Sequence, residues 1–450
     1  MIEALTAALS ARIDAWVEDQ RERIIALAQE LVRIPSENHP PGGAEAAAQT
    51  FLTEALRAAG LPAEIYDIST VPGLEEHPLR YPGVDCRGRP NVALRLPGRR
   101  AAESRSLVLS GHMDTVPAGD PAQWSESPRS GSLRQGRLYG RGAYDMKAGV
   151  AANAAVAMLL YDLGIELAGD LTVESVVDEE FAGGHGTLAA RLHSGGADAV
   201  LLPEPSNLVP YRAHRGLRLA RITLEGKGGV AFAGDTLKPA VHELPALIQA
   251  VLAFGQKRNA ETPIPEAYAS QPAPASWMIT KVSANEWRDD ARLAVPERVQ
   301  LELFWETMPG ETQVQVERQF ESWLAEFAAA SGSRVSHRYW LRWMEGYQLA
   351  AAHPLSRCVQ TQAAAVTGVW REAIGAPFPC DLFLFAKLGV PAGIILGPAG
   401  NNAHTADEWV DVESLLQTVR IYARSACAWC SRPKDGPEPR QAEPTGLARP

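Results

Sequence analysis

The sequence predicts an α/β protein: a layered domain on a mainly parallel sheet, with a smaller two-layer α+β unit inserted into it. Three observations carry this. At 450 residues the chain exceeds what one ordinary core organises, so two domains are expected. Between about residues 91 and 203, apolar strand-like runs alternate with alanine-rich helical ones, the pattern of parallel strands joined by crossover helices. Near Arg215-Gly216 that alternation gives way to a β-α-β-β-α run, and it resumes from about residue 337.

Taken in order, residues 1–60 read as two amphipathic helical segments split by a loop at 35–43. The run 107–109 is a buried strand that ends in Gly111-His112-Met113-Asp114. Asp145 opens a crossover helix at 146–161. A strand at 171–177 runs into Asp178-Glu179-Glu180, and a helix at 186–192 leads to a strand at 199–202 and Pro203-Glu204-Pro205. In the insertion, a strand at 219–224 precedes a Gly-rich turn and a helix at 240–254. Strands near 277–282 and 298–305 and a helix at 313–330 close that unit. A strand at 392–396 then enters a Gly/Pro/Asn loop that delivers His404. The expected boundaries are 1–215 and 337–430 for the larger domain and 216–336 for the insertion. Residues 431–450, rich in Pro, Gly and charge, read as a disordered tail.

Composition narrows the partners. Hydrophobic residues are 46% and charged residues 21%, as in soluble globular proteins. A net charge of −10 argues against nucleic acid or an anionic membrane surface. The most apolar stretch, 148–160, is too short for a membrane span and is interrupted by Asn153. Glu3, Arg12 and Asp14 lie in an amphipathic pattern unlike a signal peptide. Five scattered cysteines imply no disulfide framework, and Cys427-x-x-Cys430 lacks the second pair a zinc site would want. A reduced, cytoplasmic location is therefore expected.

The chemistry lies at the strand ends. In open α/β sheets ligands sit at the C-terminal edge of the parallel strands, and His112, Asp145, Glu179, Glu180, Glu204 and His404 all collect there. Two imidazoles with several carboxylates form a mixed N/O donor set that suits Zn²⁺ first and Co²⁺ or Mn²⁺ next. Five ligands exceed the need of one tetrahedral ion. A bridging carboxylate, for which Asp145 is the natural choice, would serve two ions and leave positions for water. Asp114 is close enough in sequence to orient the His112 imidazole. Of the adjacent glutamates, one can bind metal while its neighbour stays free as a base. Each motif alone more often has a structural origin; their joint occurrence in order is what points to a metal centre. His39, His77, His193, His337 and His353 have no partner pattern, and His185 reads as a turn residue.

Gly111-His112-Met113-Asp114, Gly140-Arg141-Gly142-Ala143-Tyr144-Asp145-Met146-Lys147, Asp178-Glu179-Glu180, Glu204-Pro205-Ser206 and Ala403-His404 together resemble, in order, the M20 metallopeptidases. That family includes acetylornithine deacetylase, succinyl-diaminopimelate desuccinylase and carboxypeptidases of the glutamate type. The resemblance covers roughly residues 25–430. It implies that His112, Asp145, Glu180, Glu204 and His404 hold two divalent ions with Asp145 bridging. It also implies Glu179 as the general base, Asp114 as the orienter of His112, and the insertion as a lid that carries a homodimer contact. The activity it implies is hydrolysis of an amide bond in a small molecule, an N-acyl amine or amino acid first. The alternatives are a metallo-exopeptidase and a non-hydrolytic metal-binding protein.

Two departures fall in the lid. Where the family carries a histidine that helps hold the substrate oxygen, this chain has Val230, which cannot donate a hydrogen bond. Loss of one such donor costs about 10²–10³ in rate in hydrolases; His214 and His242 are the candidate substitutes. Where the family carries an arginine that clamps a substrate carboxylate, this chain has Glu306. Either the substrate lacks that carboxylate, which is favoured, or Arg292 or Arg298 replaces the clamp. Trp277, Trp287, Trp305, Trp340 and Trp343 nearby suggest a pocket for a flat or apolar group, against the commoner core role of tryptophan.

Overall fold

The computed structural model describes residues 5–230, 237–270, 275–284 and 294–434. Trp287, Arg292 and the tail beyond Lys434 lie outside the described residues. The chain divides into two compact units, Met1–Ala213 with Leu349–Ala376 and Asp381–Pro450, and His214–Gln348 with Pro377–Cys380.

In the larger unit, strands follow the spatial order Glu64–Asp67, Pro90–Leu96, Leu171–Val176, Leu107–His112, Ala199–Leu202, Ala392–Ile395. The last four are mutually parallel, and Pro90–Leu96 runs antiparallel to both its neighbours, Leu171–Val176 and Glu64–Asp67. Leu107 pairs with both Leu171 and Ala199, and Ala199 pairs with Ala392, so the four parallel strands start level. Their C-terminal ends thereby deliver His112, Glu179-Glu180 and Glu204 to one edge. The helix Ala148–Asp162 is buried from Ala148 to Leu160 and packs against the helix Val412–Cys430. Alanine and glycine let it lie close to its neighbours: a Cβ on Gly149 would stand 2.6 Å from the Pro203 carbonyl oxygen. That contact brings the Glu204 segment to the start of the helix that follows Asp145.

Three local details differ from expectation. The N-terminal region forms three helices, Ala7–Asp19, Arg21–Arg33 and Ala46–Ala58, because the chain breaks at Gln20 (φ −94, ψ 11). The crossover helix starts two residues later than expected, since Asp145 and Met146 are non-helical (φ −120, ψ 94 and φ −135, ψ 33). Beyond the last helix, the Arg105 amide donates to the Arg432 carbonyl and the Lys434 amide to that of Glu103, so order persists past residue 431.

The smaller unit is a four-stranded antiparallel sheet, in the order Trp277–Ser283, Arg298–Thr307, Gly216–Glu225, Arg334–Tyr339. The pairing of Arg334–Tyr339 carries this unit past the boundary expected at 336. The helices Ala240–Glu261 and Gln313–Ser331 cover one face, with Ile222, Leu247, Leu301, Trp305 and Phe320 in the core between. Thr312 and Gln315 form a capping box at the start of the second helix. Trp305 is fully buried, with ring centroids 5.2 Å from Trp277 and 5.1 Å from Phe320. Trp305 belongs to the core, and Trp277, half-buried, packs against it.

The five cysteines are buried and form no disulfide among the described residues, with Cys427 and Cys430 within the last helix. Among the described residues no helix is long and apolar enough to cross a membrane.

Candidate metal centre

All seven residues singled out in the sequence lie in the larger unit, and five make close mutual contacts. His112 ends its strand and is buried. Its Nδ1 lies 2.9 Å from the backbone oxygen of Asp114, which fixes the ring and leaves Nε2 to face the cluster. His112 Nε2 is 3.2 Å from Asp145 Oδ1 and 3.7 Å from Glu204 Oε2. His404, on its loop with φ +62, places Nε2 at 3.2 Å from Asp145 Oδ2 and 2.9 Å from Glu180 Oε2. Asp145 thus turns one carboxylate oxygen to each imidazole.

Donors held about 2.0–2.2 Å from a tetrahedral zinc stand roughly 3.3–3.5 Å apart. The spacings between imidazoles and carboxylates, from 2.9 to 3.7 Å, bracket that edge length, and ligand atoms of His112, Asp145 and Glu180 all lie within 4.8 Å of one another. The electrostatics agree. The Glu180 carboxylate raises the His404 imidazole to about 11. Burial would lower that of His112, but Glu204 and Asp145 hold it well above its ordinary value. Burial opposes the ionised form of Asp145, yet the two imidazoles keep its carboxyl below the usual range. The cluster therefore attracts positive charge into its centre, as a pair of dications requires.

Glu179 is outside the close cluster, and burial pushes its carboxyl well above the usual value against the pull of His112. The Asp114 carboxylate stands with Oδ1 3.6 Å from His112 Nδ1. It accepts the backbone N–H groups of Glu179 (3.0 Å) and Glu180 (3.1 Å) and the Asn38 side-chain amide (2.9 Å). The Asp114 backbone oxygen makes the shorter contact to the ring, at 2.9 Å from Nδ1.

A buried layer behind this clamp escaped sequence reasoning. Asp178 (φ +67) accepts from Asn38 (3.1 Å) and Arg89 (2.8 Å) and pairs with His185 Nδ1. Arg89 also pairs with Glu45, and all these side chains are almost fully buried. His185 is thus a core histidine, not a turn residue; the surrounding glycines hid that. Glu408 was missed as well. Only its position four residues after His404 gave any signal.

In the smaller unit, Glu306 accepts from Arg215 Nη1 (2.6 Å) and the Ser276 amide (2.8 Å), both carboxylate and guanidinium being buried. Its charge is neutralised within that unit. Arg298 pairs with Glu225 at the surface. His214 is buried, with Nδ1 at the Arg215 carbonyl oxygen, while His242 is exposed and Val230 half-exposed.

Residues 108–428 match the model of peptidase family M20/M25/M40. An N-formyl-4-amino-5-aminomethyl-2-methylpyrimidine deformylase of Bacillus subtilis is 25% identical over 93% of this chain and 97% of its own length. A succinyl-diaminopimelate desuccinylase of Methylobacterium is 35% identical over 50% of this chain and 53% of its own. Among solved structures, an M20-family metallo-carboxypeptidase of Sulfolobus solfataricus superposes with a TM-score of 0.72 at 15% identity, covering 90% of this chain and 99% of that one.

Proposed function

This chain belongs to peptidase family M20/M25/M40 and is a metal-dependent hydrolase of amide bonds; from that premise we propose which residues do the work and on what class of substrate. Two divalent ions, zinc in the first instance, would be held by His112, Glu204, Asp145, Glu180 and His404, with Asp145 shared between them. When bound, such a pair lowers the pKa of a water and polarises the substrate carbonyl.

Glu179 takes the proton from the attacking water and returns it to the departing amine nitrogen. Asp114 holds the Glu179-Glu180 backbone so that base and ligand point to their separate tasks. Val230 supplies no hydrogen bond to the carbonyl oxygen. The observation that supports this reading best is Asp145, with two oxygens each 3.2 Å from a different imidazole.

The substrate is an N-acylated small amine. Glu306, tied to Arg215, offers no guanidinium for a substrate carboxylate, and the relative matched along nearly its whole length is a deformylase of an aminopyrimidine. A cytoplasmic location and a homodimer through the smaller unit complete the proposal; light scattering tests the dimer. The deciding assay is amine release by metal-loaded protein from N-formyl, N-acetyl and N-succinyl amines beside free dipeptides. Faster release from the N-acyl amines is expected. Preference for dipeptides would transfer the proposal to an exopeptidase, and a metal-loaded protein inert on every amide would favour a binding role.

A further inference from the structure

Two ligand loops from distant parts of the chain must meet at Asp145, and one buried side chain that binds no metal joins them. The Glu408 carboxylate is fully buried. Its Oε2 accepts from Arg141 Nη1 (2.6 Å) and the Gly142 amide (3.0 Å). Its Oε1 accepts from the amides of Tyr144 (2.9 Å) and Asp145 (3.0 Å). The Gly140 amide donates to the Glu408 backbone oxygen at 3.0 Å.

These donors need an outside acceptor for a local reason. Gly142 is left-handed (φ +81), and Asp145 and Met146 leave the helical region. The amides of 142, 144 and 145 therefore point out of any regular ladder. A buried N–H without an acceptor is destabilising, so the turn that presents both Asp145 oxygens depends on an anion at this place. Glu408 is supplied by the loop that carries His404, four residues upstream. That loop is itself anchored, since the Ser125 amide and hydroxyl both donate to the Asp407 carboxylate (2.8 and 2.7 Å).

We propose that Glu408 is a positioning residue: it fixes the bridging carboxylate of Asp145 and registers it against His404, so that both half-sites assemble together. This rests on the two-ion reading above. Without Glu408 the 142–145 turn is free to relax, Asp145 loses its two-sided presentation, and both ions bind more weakly. A role confined to the Arg141 ion pair would instead leave metal binding untouched.

The test is Co²⁺ titration of the full metal-free chain, with chelator competition for affinity and the visible ligand-field spectrum for geometry. Glu408→Gln keeps the shape but turns an NH₂ toward amide donors. Glu408→Asp keeps the charge but withdraws it from the turn. Wild type is expected to take up two ions. In either variant both should bind roughly 10–100-fold more weakly, the usual cost of removing a ligand's supporting partner, with an altered spectrum. Folded Glu408→Gln protein with wild-type affinity and spectrum overturns the proposal, as does weakening of one ion alone. Should neither variant fold, Glu408 belongs to the core and the positioning role is overturned too. Wild type that fails to bind two ions overturns the two-ion reading itself, whatever the variants do.

Discussion

Replacing Arg89 with methionine removes one guanidinium from between two buried carboxylates. Arg89 is 1% exposed, Glu45 0% and Asp178 3%. Methionine fills much of the space but leaves both anions without their cation, and breaking a buried pair in this way costs about 3–5 kcal/mol. The cost depends on pH with a definite sign. Burial pushes the Glu45 carboxyl up to about 7 even with Arg89 beside it, and without Arg89 its ionised form is less favourable still. The unfolded chain ionises Glu45 near the ordinary value of 4.5, so between there and the raised folded value the unfolded state holds fewer protons. Stability contributed by this site therefore falls as pH rises across that window. Thermal or urea unfolding of metal-free wild type and Arg89→Met at pH 6 and pH 8 reads the effect. The variant should be several degrees less stable, and the deficit should widen at pH 8. A loss below about 1 kcal/mol, equal at both pH values, would refute the account of this layer.

Other outcomes follow from the same geometry. Glu179→Gln should lower amide turnover by roughly 10²–10⁴ while bound metal per chain stays at the wild-type level, since the base lies outside the ligand set; full turnover would contradict its role. His404→Ala should hold one ion fewer than wild type by elemental analysis, the His112 half-site keeping its own ligands. Burial pulls the His214 imidazole down to about 4 from an ordinary 6.5. The unfolded chain then takes up the proton first, so stability is full above about pH 6.5 and declines by about 3 kcal/mol as pH falls toward 4. His214→Leu should flatten that decline in melting curves of the metal-free protein; an unchanged slope would contradict it.

What was legible in the sequence follows from where the information sits. A run such as 107–109, apolar and closed by His112, states both the strand and its end locally, and so do 171–176 before Glu179 and 199–202 before Glu204. The ligands could be collected because they share that edge. Their supporting partners could not. Glu408 answers backbone amides 263 residues or more away, and Asn38 reaches Asp114 and Asp178 from the N-terminal loop; no spacing encodes either. Glu306 looked like an unfavourable charge because its neutralising partner, Arg215, pairs with it only across the folded unit. The tryptophans were ambiguous in principle, since an aromatic residue serves a core and a pocket equally well until its neighbours are known.

The central claim is that Asp145 bridges two ions. Anomalous scattering from zinc-loaded crystals tests it most directly. Two peaks about 3.5–4 Å apart are expected, as in other two-metal sites, one beside His112 and Glu204 and one beside His404 and Glu180, with Asp145 between them. A single peak, or a pair that does not share Asp145, would contradict it.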